Sequence, residues 1–183
     1  MSAALVSQRY ARALVDSFAE DAQVDQSLEA LRDFALAYAD LDELRSVLEN
    51  PSIASQKRGA VFTEILDAAS YDPTTERFLQ TLFARGRLGL IQDVVSAVET
   101  LANQRLNRTH ARINGAADLS AGELDRIRAA LETHSGKTVI TRSDTDPDLL
   151  GGVVVRIGGL VIDGSLRSRL ENIRAALLVE ENV

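Results

Sequence analysis

Through residues 1–106 the apolar positions recur every three or four residues, the spacing of one helix face after another. Val6, Tyr10, Ala13, Leu14 and Phe18 share such a face, as do Val24, Leu28, Leu31, Ala35 and Tyr38. A short third helix over 41–48 is stopped by Asn50-Pro51, because the residue before a proline avoids the helical region. A fourth over 54–69, loosely capped by Ser52, puts Val61, Ile65 and Ala68 on its stripe. Asp72-Pro73-Thr74 marks the start of a fifth, whose Phe78, Leu79, Leu82 and Phe83 form the apolar face and which ends near Gly86. The sixth, over 90–106, turns Ile91, Val94, Val95, Val98, Leu101 and Ala102 inward.

Beyond residue 106 the period changes. Residues 109–116 alternate weakly, with Ala111 and Ile113 on one face of a strand. Ser120 and Glu123 make a capping box ahead of Leu124, Ile127 and Leu131. Residues 139–141 are β-prone, and 151–178 read GGVVVRIGGLVIDGSLRSRLENIRAALL. With Gly158-Gly159 as a two-residue turn, Ile157 faces Leu160, Arg156 faces Val161 and Val155 faces Ile162. Val153, Val155, Ile157, Leu160 and Ile162 then share one apolar face, while Arg156 and Asp163 lie diagonally on the other; a slip of one residue destroys both sets. Ser165 caps a last helix with Leu166, Leu170, Ile173 and Leu177 on one stripe. The reading is an α+β chain: a six-helix bundle over 1–106, then a small mixed α/β domain over 107–183 with a β-hairpin and a C-terminal helix. The boundary is soft, with no Pro- or Ser-rich linker.

Charge and composition narrow the chemistry. The 183 residues carry a net charge of −7, a poor match for a phosphate backbone. With only 4% aromatic residues and no Trp, base-stacking platforms are also disfavoured, so nucleic acid is not an expected partner. There is no Cys, which removes disulfides, thiol catalysis and thiolate metal sites. No apolar run is long enough to span a membrane, so no direct lipid insertion is expected. Arg9 and Arg12 among small residues suggest a transit peptide, but Asp16, Glu20 and Asp21 argue for a helix of the mature fold. Residues 16–49 hold ten acidic side chains against Arg32 and Arg45, either a solvated face or a docking surface for a basic partner.

Candidate catalytic chemistry is thin. Gly158-Gly159 sits inside a hairpin, not between strand and helix as a dinucleotide loop requires. Gly136-Lys137-Thr138 resembles the end of a phosphate loop, but Leu131 stands where that loop needs glycine, and the triplet leads into a strand. His110 and His134 lack metal-ligand spacing. No nucleophile, base and oxyanion donors assemble. No cofactor or metal is expected, and the chain does not read as an enzyme.

The glycine-rich C-terminal segment resembles the signature of the delta subunit of the F-type ATP synthase, the oligomycin-sensitivity-conferring protein family. The residues that carry the resemblance are Asp148-Leu149-Leu150-Gly151-Gly152, Val154-x-Arg156-x-Gly158, Val161-Ile162-Asp163-Gly164-Ser165 and Leu170. Arg9-Tyr10-Ala11-x-Ala13-Leu14, Asn50-Pro51-x-Ile53 and Gly86-Arg87-Leu88 extend it over essentially the whole chain. Gly159 departs from the pattern, where a charged or polar residue is more usual. The resemblance implies a non-catalytic stator subunit of a proton-translocating synthase, present in single copy at the cytoplasmic face of a bacterial membrane. It also implies that the helical domain holds the N-terminal helix of an alpha subunit between its first and fifth helices. Tyr10, Ala13, Leu14, Phe78, Leu79, Leu82 and Phe83 are then the candidate interface, against the plainer reading of each as core, since most apolar stripes face inward. The C-terminal domain is implied to meet the b subunit of the peripheral stalk. The acidity of the bundle predicts attraction to basic residues flanking the alpha helix. A generic helical adaptor remains a rival reading.

Overall fold

The structure, a computed structural model, describes residues 3–50 and 52–180, with side chains inside the last helix only as far as Arg174. Pro51 and the side chain of Leu177, both used above, lie outside the described residues. The chain divides into two compact units, Met1–Leu106 and Asn107–Val183.

The first unit holds α1 (Ala3–Ser17), α2 (Asp21–Asp40), α3 (Asp42–Glu49), α4 (Ser55–Ala69), α5 (Pro73–Ala84) and α6 (Ile91–Arg105). One core gathers Ala11, Leu14, Val15 and Phe18 of α1, Val24 to Tyr38 of α2, Leu79 and Leu82 of α5, and Ile91 to Ala102 of α6. The first and last helices of the unit run together, and the small buried residues Ser7, Ala11 and Ala102 suit that close approach. Arg105 ties the ends. Its Nη1 donates to the carbonyls of Val15 at 2.8 Å and Phe18 at 2.9 Å, its Nη2 to that of Ala19, and its Nε to Asp21 at 3.0 Å. One cation thus satisfies the open C-terminal carbonyls of α1 and holds the start of α2. At the other end of the chain order, Asp72 caps α5 by accepting from the N–H groups of Thr74 and Thr75, each at 3.0 Å, with Pro73 as the first helical residue. Thr75 then donates to Ser27 at 2.6 Å, a satisfied polar pair inside the core.

One helix face differs from expectation. α4 buries Phe62 and Leu66, not the stripe of Val61, Ile65 and Ala68: Val61 is 37% exposed and Ala68 lies on the surface. Both stripes have helical spacing. The one with the larger side chains wins because Phe62 stacks on Phe83 and meets Phe34 edge-on, burying more area.

The second unit contains β1 (Arg108–Gly115), α7 (Ala121–Ser135), β2 (Thr138–Thr145), β3 (Val153–Ile157), β4 (Leu160–Asp163) and α8 (Leu166–Glu180). Its sheet order is β2-β1-β3-β4. β1 and β2 are parallel, so a crossover must join them, and α7 supplies it; the other pairings are antiparallel. The capping box at Ser120 and Glu123 starts α7 and Gly136, at φ +66°, ends it. Leu124, Ile127 and Leu131 then cover Ala111, Ile113, Val139, Val155 and Ile157. Gly136-Lys137-Thr138 therefore follows a helix C-terminus, where carbonyls rather than N–H groups are presented, the wrong polarity for phosphate.

The hairpin register is the one read from the alternation: Val155 pairs with Ile162, Arg156 with Val161 and Ile157 with Leu160, with Gly158 at φ +55°. Its apolar face is only half buried. Val155 and Ile157 are covered, but Leu160 and Ile162 remain 45% and 43% exposed. β4 is an edge strand and contributes nothing to the core beneath α7. The α8 stripe also stays open, with Leu166, Leu170 and Ile173 all exposed. Ser165 does cap α8, accepting from the N–H of Ser168 at 3.2 Å. The signature glycines mark a backbone crossing. A Cβ at Gly152, which sits at φ +79°, would fall on the carbonyl oxygen of Gly164. There the Gly164 N–H donates to Val153 and the Leu166 N–H to Gly151, each at 2.9 Å.

Three outcomes follow from these contacts. Arg105→Ala is expected to lower unfolding free energy by about 2 kcal/mol, the range for hydrogen bonds to a charged group, read by urea denaturation. Tyr38 donates to Glu49 at 2.6 Å, and burial first, then that bond, raises its pKa above the usual tyrosine range. The folded state therefore keeps a proton that the unfolded chain releases near pH ~10, so stability falls as pH rises above about 10. Tyr38→Phe flattens that fall, leaving the smaller share of Tyr71, whose pKa burial also raises. In the hairpin, Val155→Asp is expected to cost about 3 kcal/mol or more, whereas Ile162→Asp and Arg156→Ala each cost about 1 kcal/mol or less. Thermal melts of the three variants check this order.

Candidate functional site

Tyr10 on α1 points to the turn that follows α5. Gly86, at φ +63°, lets that turn close: its N–H donates to Phe83 and that of Arg87 to Leu82, each at 2.9 Å. Arg87 then reaches back, its Nη1 donating to the Tyr10 hydroxyl at 2.7 Å with the guanidinium carbon 5.4 Å from the ring centre. Phe78 of α5 meets the same ring edge-on at 6.2 Å. Residues 77 positions apart are thereby fixed to each other.

Beside this pair runs a groove of about 430 Å³ between α1 and α5, lined by Val6, Arg9, Tyr10, Ala13, Thr81, Arg85 and Arg87. The seven candidate residues divide. Tyr10 and Ala13 line the groove. Leu14, Leu79 and Leu82 are core, at 3%, 0% and 0% exposure. Phe78 is buried beneath Tyr10. Phe83 stacks on Phe62 at 4.6 Å and lines a different cavity of about 410 Å³ with Leu48, Glu49, Arg58 and Leu88.

The apolar stripe of α5 was not its groove face. Thr81 and Arg85, four residues apart, supply that face, and Val6, Arg9, Tyr10 and Ala13 supply the facing one. The signal was helical spacing among polar residues, which a search for apolar anchors passes over. The groove lining holds three arginines and no carboxylate, although the chain is acidic overall. The acidity of residues 16–49 does not reach the lining of this groove. A second groove of about 450 Å³, between α1 and α6, shares Arg9 and adds Leu5, Arg12, Ala97 and Leu101.

The second unit offers a different surface. Leu160, Val161 and Ile162 of β4, with Leu166, Leu170 and Ile173 of α8, are exposed apolar residues on consecutive elements. Leu160 and Ile162 lie on the face of Val155 and Ile157 and Val161 on the opposite face, so β4 exposes apolar side chains on both sides of the sheet. Among the described residues no group of three or more His, Cys, Asp or Glu side chains is placed to hold a metal, and both His110 and His134 are exposed.

A family model described as "ATP synthase delta (OSCP) subunit" matches residues 6–177. The ATP synthase subunit delta of Desulforapulum autotrophicum is 36% identical over 177 residues, 97% of each chain. That of Anaeromyxobacter sp. (strain K) is 36% identical over 172 residues, covering 94% of this chain and 96% of its own. Among solved structures, a chain of the Toxoplasma gondii mitochondrial ATP synthase hexamer shares the fold at a TM-score of 0.63 and 20% identity, covering 94% of this chain and 97% of the other. By sequence along nearly its whole length, the chain belongs to the ATP synthase delta (OSCP) subunit family.

Proposed function

We propose that this chain works as a two-site clamp in the stator, gripping the N-terminal helix of an alpha subunit in the α1–α5 groove and the b subunit of the peripheral stalk through its second unit. Family membership makes it a delta subunit of ATP synthase, a structural part of the peripheral stalk and not a catalytic one. The clamp reading adds the two attachments, single copy per complex, and a position at the cytoplasmic face of a bacterial membrane, where the held catalytic head lets proton-driven rotation make ATP. No helix among the described residues is long and apolar enough to cross a membrane, which is consistent with attachment through partners.

The groove carries the reading. Tyr10 and Ala13 line it together with the cations Arg9, Arg85 and Arg87. An amphipathic helix suits that lining, with apolar side chains against Tyr10 and Ala13 and carboxylates against the arginines. The helices around it form a bundle whose core is separate from the groove, so a partner can be gripped without opening the fold. A stator needs stiffness, and the Arg87–Tyr10 bond and the Arg105 clamp supply it where α1 meets its neighbours. In the second unit, the exposed β4 edge and α8 stripe provide the apolar area for the stalk.

Calorimetry of the full chain with a peptide of the alpha N-terminus tests the first attachment. Ala13→Glu leaves the core intact and is expected to weaken binding about 30-fold, roughly 2 kcal/mol, with an unchanged circular dichroism spectrum. Leu14→Glu, in contrast, is expected to unfold the helices before any binding is measured. A folded wild-type chain that ignores the peptide sinks the reading.

A further inference from the structure

We propose that the sheet face opposite α7 is a recognition surface for an acidic helix, formed by a row of three arginines, Arg142, Arg112 and Arg156, on three adjacent strands. The register places them side by side: Arg112 of β1 lies directly opposite Arg142 of β2 and Arg156 of β3. Side chains directly opposite one another project from the same face. Ala111, Ile113, Val139, Val155 and Ile157 point the other way, into the core under α7, so the arginines occupy the outer face. All three are exposed, the Arg112 side chain at 59%. Val161 of β4 continues the row beyond Arg156 and is 56% exposed.

Folding does not call for this arrangement. Like charges directly opposite each other across strands are destabilising. Asp144 relieves Arg112 at 3.7 Å, but a row of three cations on a chain of net charge −7 persists from the β2 edge across β1 and β3. A charge pattern that works against its own fold, at an exposed site, marks a place where an opposite charge is brought from outside.

Geometry selects the form of that charge. Strands are about 4.8 Å apart, so the row spans roughly 10 Å at regular steps. One turn of α-helix rises about 5.4 Å, so carboxylates on three successive turns of a helix laid across the strands match those steps. The apolar side chain of Val161 then meets the next turn. A polyanion with charge spread over its surface fits less well. The neighbouring row of the same face pairs Asp144 with Asn114 and Asp163 with Val154, so two carboxylates lie one step along the strands. Asp163 is held ionised below the usual carboxylate range by the N–H of Ser165 and the hydroxyl of Ser168. Nucleic acid or a charged bilayer would meet both acids, whereas a single stripe of carboxylates avoids them.

The occupant is an acidic helical stretch of the peripheral stalk, which rests on the reading that the second unit meets the b subunit. The test titrates the full chain with the soluble segment of b at several salt concentrations. Arg142→Gln with Arg156→Gln leaves the Arg112–Asp144 pair and removes two of the like charges. It is expected to melt no lower than wild type, to bind b about tenfold more weakly, and to flatten the salt dependence of the association rate. Unchanged affinity and salt dependence overturn the inference while leaving the stalk reading intact. So does binding to an oligonucleotide or to anionic phosphatidylglycerol vesicles that the double variant loses while it keeps b. Failure of wild type to bind b overturns the stalk reading itself, and the inference with it.

Discussion

The first unit depends on closing its first helix against its last. α1 and α6 are separated by most of the unit's sequence, and bringing them together closes a long loop at an entropic cost that only extensive burial offsets. Ala11, Leu14 and Val15 on one side and Val94, Val98 and Ala102 on the other join one continuous core with α2 and α5. Arg105 sits at the last turn of α6, where its cation satisfies carbonyls that α1 leaves open. With that seam closed, α1 presents a fixed outer face, and two grooves of the unit are built on it.

A subunit that transmits force without chemistry needs firm interiors and adherent surfaces, and this chain separates the two. In the core of the first unit the buried Thr75 hydroxyl donates to Ser27, and the buried Ser7 hydroxyl donates to the Ala3 carbonyl of its own helix. The groove lining carries cations at Arg9, Arg85 and Arg87, and one of them is also structural, since Arg87 holds Tyr10 in place. The second unit has a small core and leaves apolar side chains of β4 and α8 exposed. A small domain that leaves such area uncovered gains stability when a partner covers it. The glycine crossing at Gly151, Gly152 and Gly164 brings the start of α8 tightly against the start of β3, so the open stripe springs from a fixed point.

Helix and strand positions were readable because they depend on local spacing. The stripes of α2 and α6, the capping box at Ser120, and the hairpin register through Gly158 all follow from residues within a few positions of each other. The family likeness was readable for the same reason, since turn glycines and the polar residues beside them are written locally. Which apolar face is covered was not. α4 offered two stripes of equal period, and the aromatic neighbours Phe34 and Phe83, distant in sequence, decided for Phe62. Leu160, Ile162 and Leu170 look like core residues by alternation, but their burial depends on whether another element lies over them.

The sequence alone determined the elements, the turns, the two differing halves and the family, because backbone propensity and hydrophobic period are short-range properties. The tertiary structure decided which candidate residues are core and which line the groove. It placed Leu14, Leu79 and Leu82 in the core and put Arg9, Thr81, Arg85 and Arg87 beside Tyr10 and Ala13. It also set Arg142, Arg112 and Arg156 in one row through the parallel pairing of β1 with β2 and the antiparallel pairing of β1 with β3. Such neighbours arise from long-range pairing, where the free energy of burial over the whole unit, and no property of any single segment, selects which side chains meet.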